Sequence, residues 1–306
     1  MSATQTKKTA AEKTTAEAER AQLPTTTATT AAAANLSPTA FLDEDLNQFA
    51  GAGVSTDAED SNVPYLLVLQ KGSPQVNRQD PGFVRGAEAG DIYNTVTGRI
   101  YKCNGPDAPG VLVMPIWFEK REVEWVPRDA GGGYVATHSM DTSLLAIVKD
   151  VLKPSGKGST RMIGNTGHQM VRTNYHFVID IENADVSLIA ASSSAIGFSR
   201  RWTGLMKAKK VSTKNGPVIA PSFSSVYRIM TIYNKNDQGD WYTMSAEDTG
   251  WVDTNNPTQM ACYRAAKEFF LNAREHGVQL GRPPAMAEET SNHTIDADMD
   301  ADEGPL

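Results

Sequence analysis

The chain has 306 residues, 40% of them hydrophobic, with 29 Lys+Arg against 36 Asp+Glu. That length leaves room for two domains, but the composition describes one core between polar tails. The two cysteines, Cys103 and Cys262, form no disulfide framework and belong to no C-x-x-C or His/Cys cluster. They read as buried free thiols in a reducing compartment. No apolar run approaches the ~18 residues of a membrane span. The N-terminus lacks the apolar stretch of a secretory signal, so a cytoplasmic protein is expected.

In chain order, residues 1–60 form a Thr/Ala-rich arm, low in large apolar side chains over its first 38 residues and expected to be disordered. A short amphipathic stretch at residues 41–50 is broken by Gly51 and Gly53. The apolar run at residues 65–69 predicts the first ordered element. Residues 91–101 read as a hairpin with a Thr97-Gly98 turn. Residues 111–126 are rich in β-branched and aromatic side chains and predict a long strand, with Pro115 marking a bend, bulge or edge. Residues 131–133 are a glycine loop. Residues 143–152 have helical spacing, and 154–167 are Gly-rich and expected to be mobile.

Two strands follow at residues 175–181 and 186–191, joined by a tight turn, and residues 198–210 read as a short helix. A second hairpin is expected from residues 225–233 and 241–245. Residues 257–276 carry the clearest helix signal: Pro257 suits the first turn, Asn255 or Asn256 the cap, and Gly277 the end. The stripe Met260, Tyr263, Ala266, Phe270 and Ala273 is expected to pack on the sheet. The pattern gives a mainly β (α+β) fold, an OB-fold-like barrel with insertions at residues 61–281, with a two-sheet sandwich as the close alternative. Residues 282–306 are a disordered acidic tail.

Charge is divided along this layout. Residues 286–306 hold seven acids and no Lys or Arg, whereas residues 61–285 hold 25 basic and 20 acidic residues. A net-positive body with a negative tail suggests a polyanionic partner with which the tail competes. Between Asp185 and Asp237 there is no acid, yet Arg200, Arg201, Lys207, Lys209, Lys210, Lys214 and Arg228 all lie there. Trp202 follows the arginine pair and Tyr227 precedes Arg228. Cations for phosphates and flat rings for bases are what a single strand requires. Trp117 and Trp125 form a second candidate pair, sharing parity on the long strand, although Glu119, Glu122 and Glu124 dilute the positive charge beside them.

Enzymatic signals are weak. Residues 155–160 imitate a phosphate loop, but Val151 stands where the motif needs glycine. No G-x-S-x-G, H-E-x-x-H or calcium-loop pattern is present, and the five histidines lack ligand spacing. No catalysis, cofactor or metal is expected.

The acidic tail carries Asp298, Asp300, Asp302 and Glu303 and closes on Leu306. Here the chain resembles the bacteriophage single-stranded DNA-binding proteins, whose OB-fold body precedes an acidic tail with an apolar end. The resemblance covers architecture and tail rather than a motif. The arm is longer than in that family, and leucine replaces the final aromatic residue. Residues 63–70 and 73–76 are also similar to stretches of other phage proteins. The resemblance implies a sequence-tolerant single-stranded DNA-binding protein of phage replication, recombination or repair in the host cytoplasm. Its tail would recruit replication or recombination proteins, and the body could form homo-oligomers. A phage structural or assembly protein without nucleic-acid binding is the alternative, and a nuclease without a recognisable motif is a third.

Overall fold

The computed structural model describes residues 63–152, 159–237, 239–278 and 280. The expected arm, acidic tail and most of the mimic phosphate loop lie outside these residues. Three short strands open the fold, β1 (Leu66–Val68), β2 (Ile92–Asn94) and β3 (Ile100–Tyr101), paired antiparallel in that order. The spine is β4 (Val111–Val126). After it come β5 (Gly133–Ser139), β6 (Val148–Leu152), β7 (Ser159–Ile163), β8 (Gln169–Asp180) and β9 (Val186–Ser192). Helix α1 (Ile196–Ala208) precedes the small hairpin β10 (Lys210–Thr213) and β11 (Gly216–Ile219). A long hairpin, β12 (Ser225–Asn236) and β13 (Gly239–Trp251), leads to helix α2 (Pro257–His276).

The mainly β body with its C-terminal helix is as expected. Strand β4 runs antiparallel to β8 over almost its whole length. Its other edge is shared by β12 near Val111 and by β5 near Trp125. Backbone hydrogen bonds continue around the body. The Cys103 carbonyl, just past β3, accepts from Thr231 N of β12 at 3.0 Å, and the Pro64 carbonyl accepts from Leu188 N of β9 at 2.8 Å. These bonds and the isolated Tyr65–Leu188 bridge tie the three-stranded sheet β1-β2-β3 to strands β12 and β9 of the eight-stranded sheet. Gly110 permits the close approach where β4 enters: its φ is 67°, and a Cβ there would sit 2.7 Å from the Ile229 carbonyl.

Two apolar clusters fill the two faces. Leu66, Ile92, Val113, Val178, Ile189 and Ile229 form an inner cluster with Phe198 and Trp202 of α1. Met114, Ile116, Tyr175, Phe177 and Val226 form an outer cluster beneath α2, with Phe177 meeting Phe269 and Trp117 meeting Phe270. Pro115 explains how one strand serves both. It cannot donate to the ladder, and the register with β8 slips between Pro115 and Trp117. Odd-numbered Val111 and Val113 face inward, whereas odd-numbered Val123 belongs to the outer cluster.

Helix α2 has the bounds that its end signals predict. The Asn256 side chain accepts from Gln259 N at 3.1 Å, Pro257 opens the first turn, and Gly277 closes it at φ 76°. Residues 143–152 differ from expectation: Ser143–Ile147 is a 3-10 turn, and β6 begins at Val148. A short apolar run does not distinguish the two periods, and pairing with β7 decides for strand. No helix of the described residues is long and apolar enough to cross a membrane. Both cysteines are buried free thiols, and burial pushes the Cys103 thiol up to about 12.

Candidate nucleic-acid interface

Helix α1 turns one face to the inner cluster and the other to solvent. Phe198, Ser199 and Trp202 are buried. Ser199 Oγ accepts from Asn174 Nδ2 at 2.9 Å and lies 2.8 Å from His176 Nε2, fixing the helix on β8. His176 stacks on Trp202 with ring centres 4.7 Å apart, and burial lowers its pKa to about 3, so it packs as a neutral ring. Arg200, Arg201 and Lys207 lie on the exposed side.

The chain leaves α1 directly into the small hairpin. Lys210 and Lys214 are exposed there, as are Val211, Val218 and Ile219. Lys209 ties the hairpin base to the end of β13. Its carbonyl accepts from Ala220 N at 2.9 Å, its ammonium bonds Asp248 at 2.8 Å, and the same ammonium lies 4.8 Å from the Trp251 ring centre. Five exposed cations of the acid-free segment thus occupy α1 and the adjoining hairpin.

The ring assignments change. Trp202 and Tyr227 are each 0% exposed, with Trp202 edge-on to Tyr227 at 5.9 Å, so neither offers a face to a base. Both are core residues, not stacking platforms. Trp117 and Trp125 do share the outer face, but each is half-buried. Trp117 packs against Phe270 at 5.6 Å and Trp125 edge-on to Tyr134 at 5.8 Å. Packing against neighbours replaces the platform role expected for them. Arg228 is half-buried on β12 and lies 3.8 Å from Glu247, which reduces its availability to a phosphate. Asp298, Asp300, Asp302, Glu303 and Leu306 lie outside the described residues.

The acids of β4 are also engaged. Glu122 is fully buried between Arg161 Nη1 at 2.6 Å and Arg172 Nε at 3.1 Å. Glu124 receives His138 Nε2 at 2.8 Å and His168 Nδ1 at 2.6 Å. Burial pushes its carboxyl up, but the His168 and His138 hydrogen bonds outweigh this and hold it below the usual carboxylate value. Among the described residues, no group of His, Cys, Asp and Glu is arranged to hold a metal ion. A cavity of about 150 Å³ opens between β1 and β9, lined by Leu67, Ala190, Phe198 and Met244 among others. No lysine or arginine lines it, so it is separate from the cationic surface.

Sequence reasoning missed Trp251. It ends β13 with 49% of its surface open, while Trp202 is sealed. The signal was its place among Asp248, Thr249, Gly250 and Asp253, polar or small neighbours that supply little core. The same reasoning stopped that strand at Ser245.

The chain matches the family model of the Pam3 phage gp34-like proteins over residues 30–279. It belongs to this family. Membership in the Pam3 phage gp34-like family makes it a phage protein and agrees with the phage character read from the sequence. No curated protein and no solved structure matches the chain.

Proposed function

We propose that this Pam3 phage gp34-like protein binds single-stranded DNA with little sequence preference, in phage replication, recombination or repair. The observation that carries the reading is the continuous run of exposed cations from α1 into the β10–β11 hairpin: Arg200, Arg201, Lys207, Lys210 and Lys214. Cations spaced along one segment suit a phosphate backbone, which supplies most sequence-independent affinity. The antiparallel β body beneath α1 supplies a rigid support for such a surface. The protein acts by binding, without catalysis, and the tail bearing Asp298, Asp300, Asp302, Glu303 and Leu306 competes for the cationic surface and recruits replication or recombination proteins.

Titration of the full chain with single- and double-stranded oligonucleotides at two salt concentrations tests this. Tighter binding to the single strand, weakened by salt, is the expected result. Deletion of residues 286–306 is expected to tighten it further. Indifference to both oligonucleotides rejects the proposal.

One observation favours the assembly alternative. Strand β6 lies at the end of its sheet and exposes Val151 and Leu152, the latter 76% open. Exposed apolar edges are pairing surfaces. A defined oligomer by size-exclusion chromatography, unchanged by oligonucleotide, would select that reading.

A further inference from the structure

Large apolar rings left open on a folded surface carry information that scattered aliphatic residues do not. Of the five tryptophans, four are packed to some degree, and Trp251 is 49% exposed. It occupies the last position of β13, where its partner across the ladder is Ser225, a residue too small to cover much of the ring. Lys209 reaches the same ring from the base of the hairpin, with its ammonium 4.8 Å from the centroid and its other contact on Asp248. Only 15% of the Lys209 side chain is exposed, so its stem holds a fixed position.

This arrangement sets the Lys209 ammonium over one face of the ring at the junction of α1, the hairpin and β13, and about half of Trp251 remains open to solvent. We infer that Trp251 is the base-stacking platform of the protein, one nucleobase lying on its ring while Lys210 and Lys214 take flanking phosphates. The inference rests on the single-strand-binding reading above and adds to it the ring that the sequence placed elsewhere. Stacking on an aromatic face tolerates every base, as a sequence-indifferent binder requires. The exposed Val218 and Ile219 of the hairpin extend the apolar surface beside the cations.

The test uses the full chain, Trp251→Ala and Trp251→Phe, titrated with a labelled oligo(dT) and, separately, with inorganic polyphosphate, which has charge but no base. Trp251→Ala is expected to lose about tenfold in affinity for oligo(dT), Trp251→Phe less, and neither to lose affinity for polyphosphate. Oligo(dT) is also expected to quench the tryptophan emission of the wild type far more than that of Trp251→Phe. Equal affinity of Trp251→Ala and wild type for oligo(dT) overturns the platform; if Lys207→Glu with Lys210→Glu still weakens binding, the broader reading survives. An equal loss on both probes overturns stacking in favour of a charge effect. A changed oligomeric state in Trp251→Ala with DNA binding intact assigns the ring to a protein contact instead. Because the phenylalanine variant keeps a ring at the site, its melting temperature separates misfolding from lost stacking.

Discussion

Within the acid-free stretch between Asp185 and Asp237, helix α1 and the base of the β10–β11 hairpin arrange cations and rings in opposite ways. In α1, Trp202 lies beside Arg201 in sequence, yet the tryptophan is sealed and the arginine exposed. Consecutive helical residues diverge by about 100°, so adjacency along a helix separates side chains rather than joining them. At the hairpin, Lys209 and Trp251 are 42 positions apart in number and meet within 4.8 Å, because the β12–β13 ladder returns the chain to the base of β10. Cation and ring come together through strand pairing. A charged window identifies a surface, but its nearest aromatic residue in sequence need not belong to it.

The largest expected effect tests the sealed half. Trp202 stacks on His176 and Phe198 and meets the edge of Tyr227. Trp202→Ala removes this packing and should cost about 3–5 kcal/mol of stability, measured by urea unfolding. The molecules that remain folded should bind oligonucleotide as the wild type does. A small stability loss combined with a large affinity loss would restore Trp202 to the interface and undo the contrast.

Acidification probes the same interior more gently. His176 is held neutral by burial, with its pKa down at about 3 from an ordinary 6.5. The unfolded chain takes up this proton as pH falls through 6.5, while the folded chain resists until far lower pH. Stability is therefore full above 6.5 and declines below it. Glu124, also held below its usual value of 4.5, adds stability that is present above 4.5 and lost as pH falls through its folded value. The melting temperature should fall continuously from pH 6.5 downward, and His176→Gln should flatten the upper part of that slope. An unchanged slope in that variant would mean that another group titrates there.

Charge reversal addresses the open half. Lys207→Glu with Lys210→Glu is expected to weaken single-strand binding about tenfold or more at low salt. Each phosphate neutralised on a single strand adds about 0.7 to the salt slope, so removing two cations should lower that slope by about 1.4. Melting should change little, since both side chains are exposed. Unaltered affinity would remove the hairpin from the interface.

Legibility in the sequence followed physical specificity. Residues 111–126 and 257–276 were readable because a long β-branched run and a full set of helix end signals each have few alternatives, and β4 and α2 keep those bounds. Strands β5, β7 and β10–β11 were missed, β7 lying within the residues expected to form a mobile loop, because they are short and largely exposed or half-buried, so burial imposes no alternation on them. The Asn215-Gly216 dipeptide was the one turn signal available for the small hairpin. Of the candidate site, the cations were legible because absence of acid is a property of composition. The platform was not, because facing depends on register: the bulge at Pro115 and the length of β13 decide which rings are covered.

The smallest expected effect separates the outer helix from the interface. Asn256 Oδ1 accepts from Gln259 N at 3.1 Å, and Asn256→Ala leaves that amide to water. The cost should be about 1 kcal/mol in urea unfolding. Helix α2 covers the outer face through Phe269 and Phe270, the face opposite α1. Oligonucleotide affinity should therefore stay within about twofold of wild type, as expected for separated sites that contribute independently. A matching loss of affinity in this variant would mean that the outer face also contributes to binding, and that the two faces act together rather than apart.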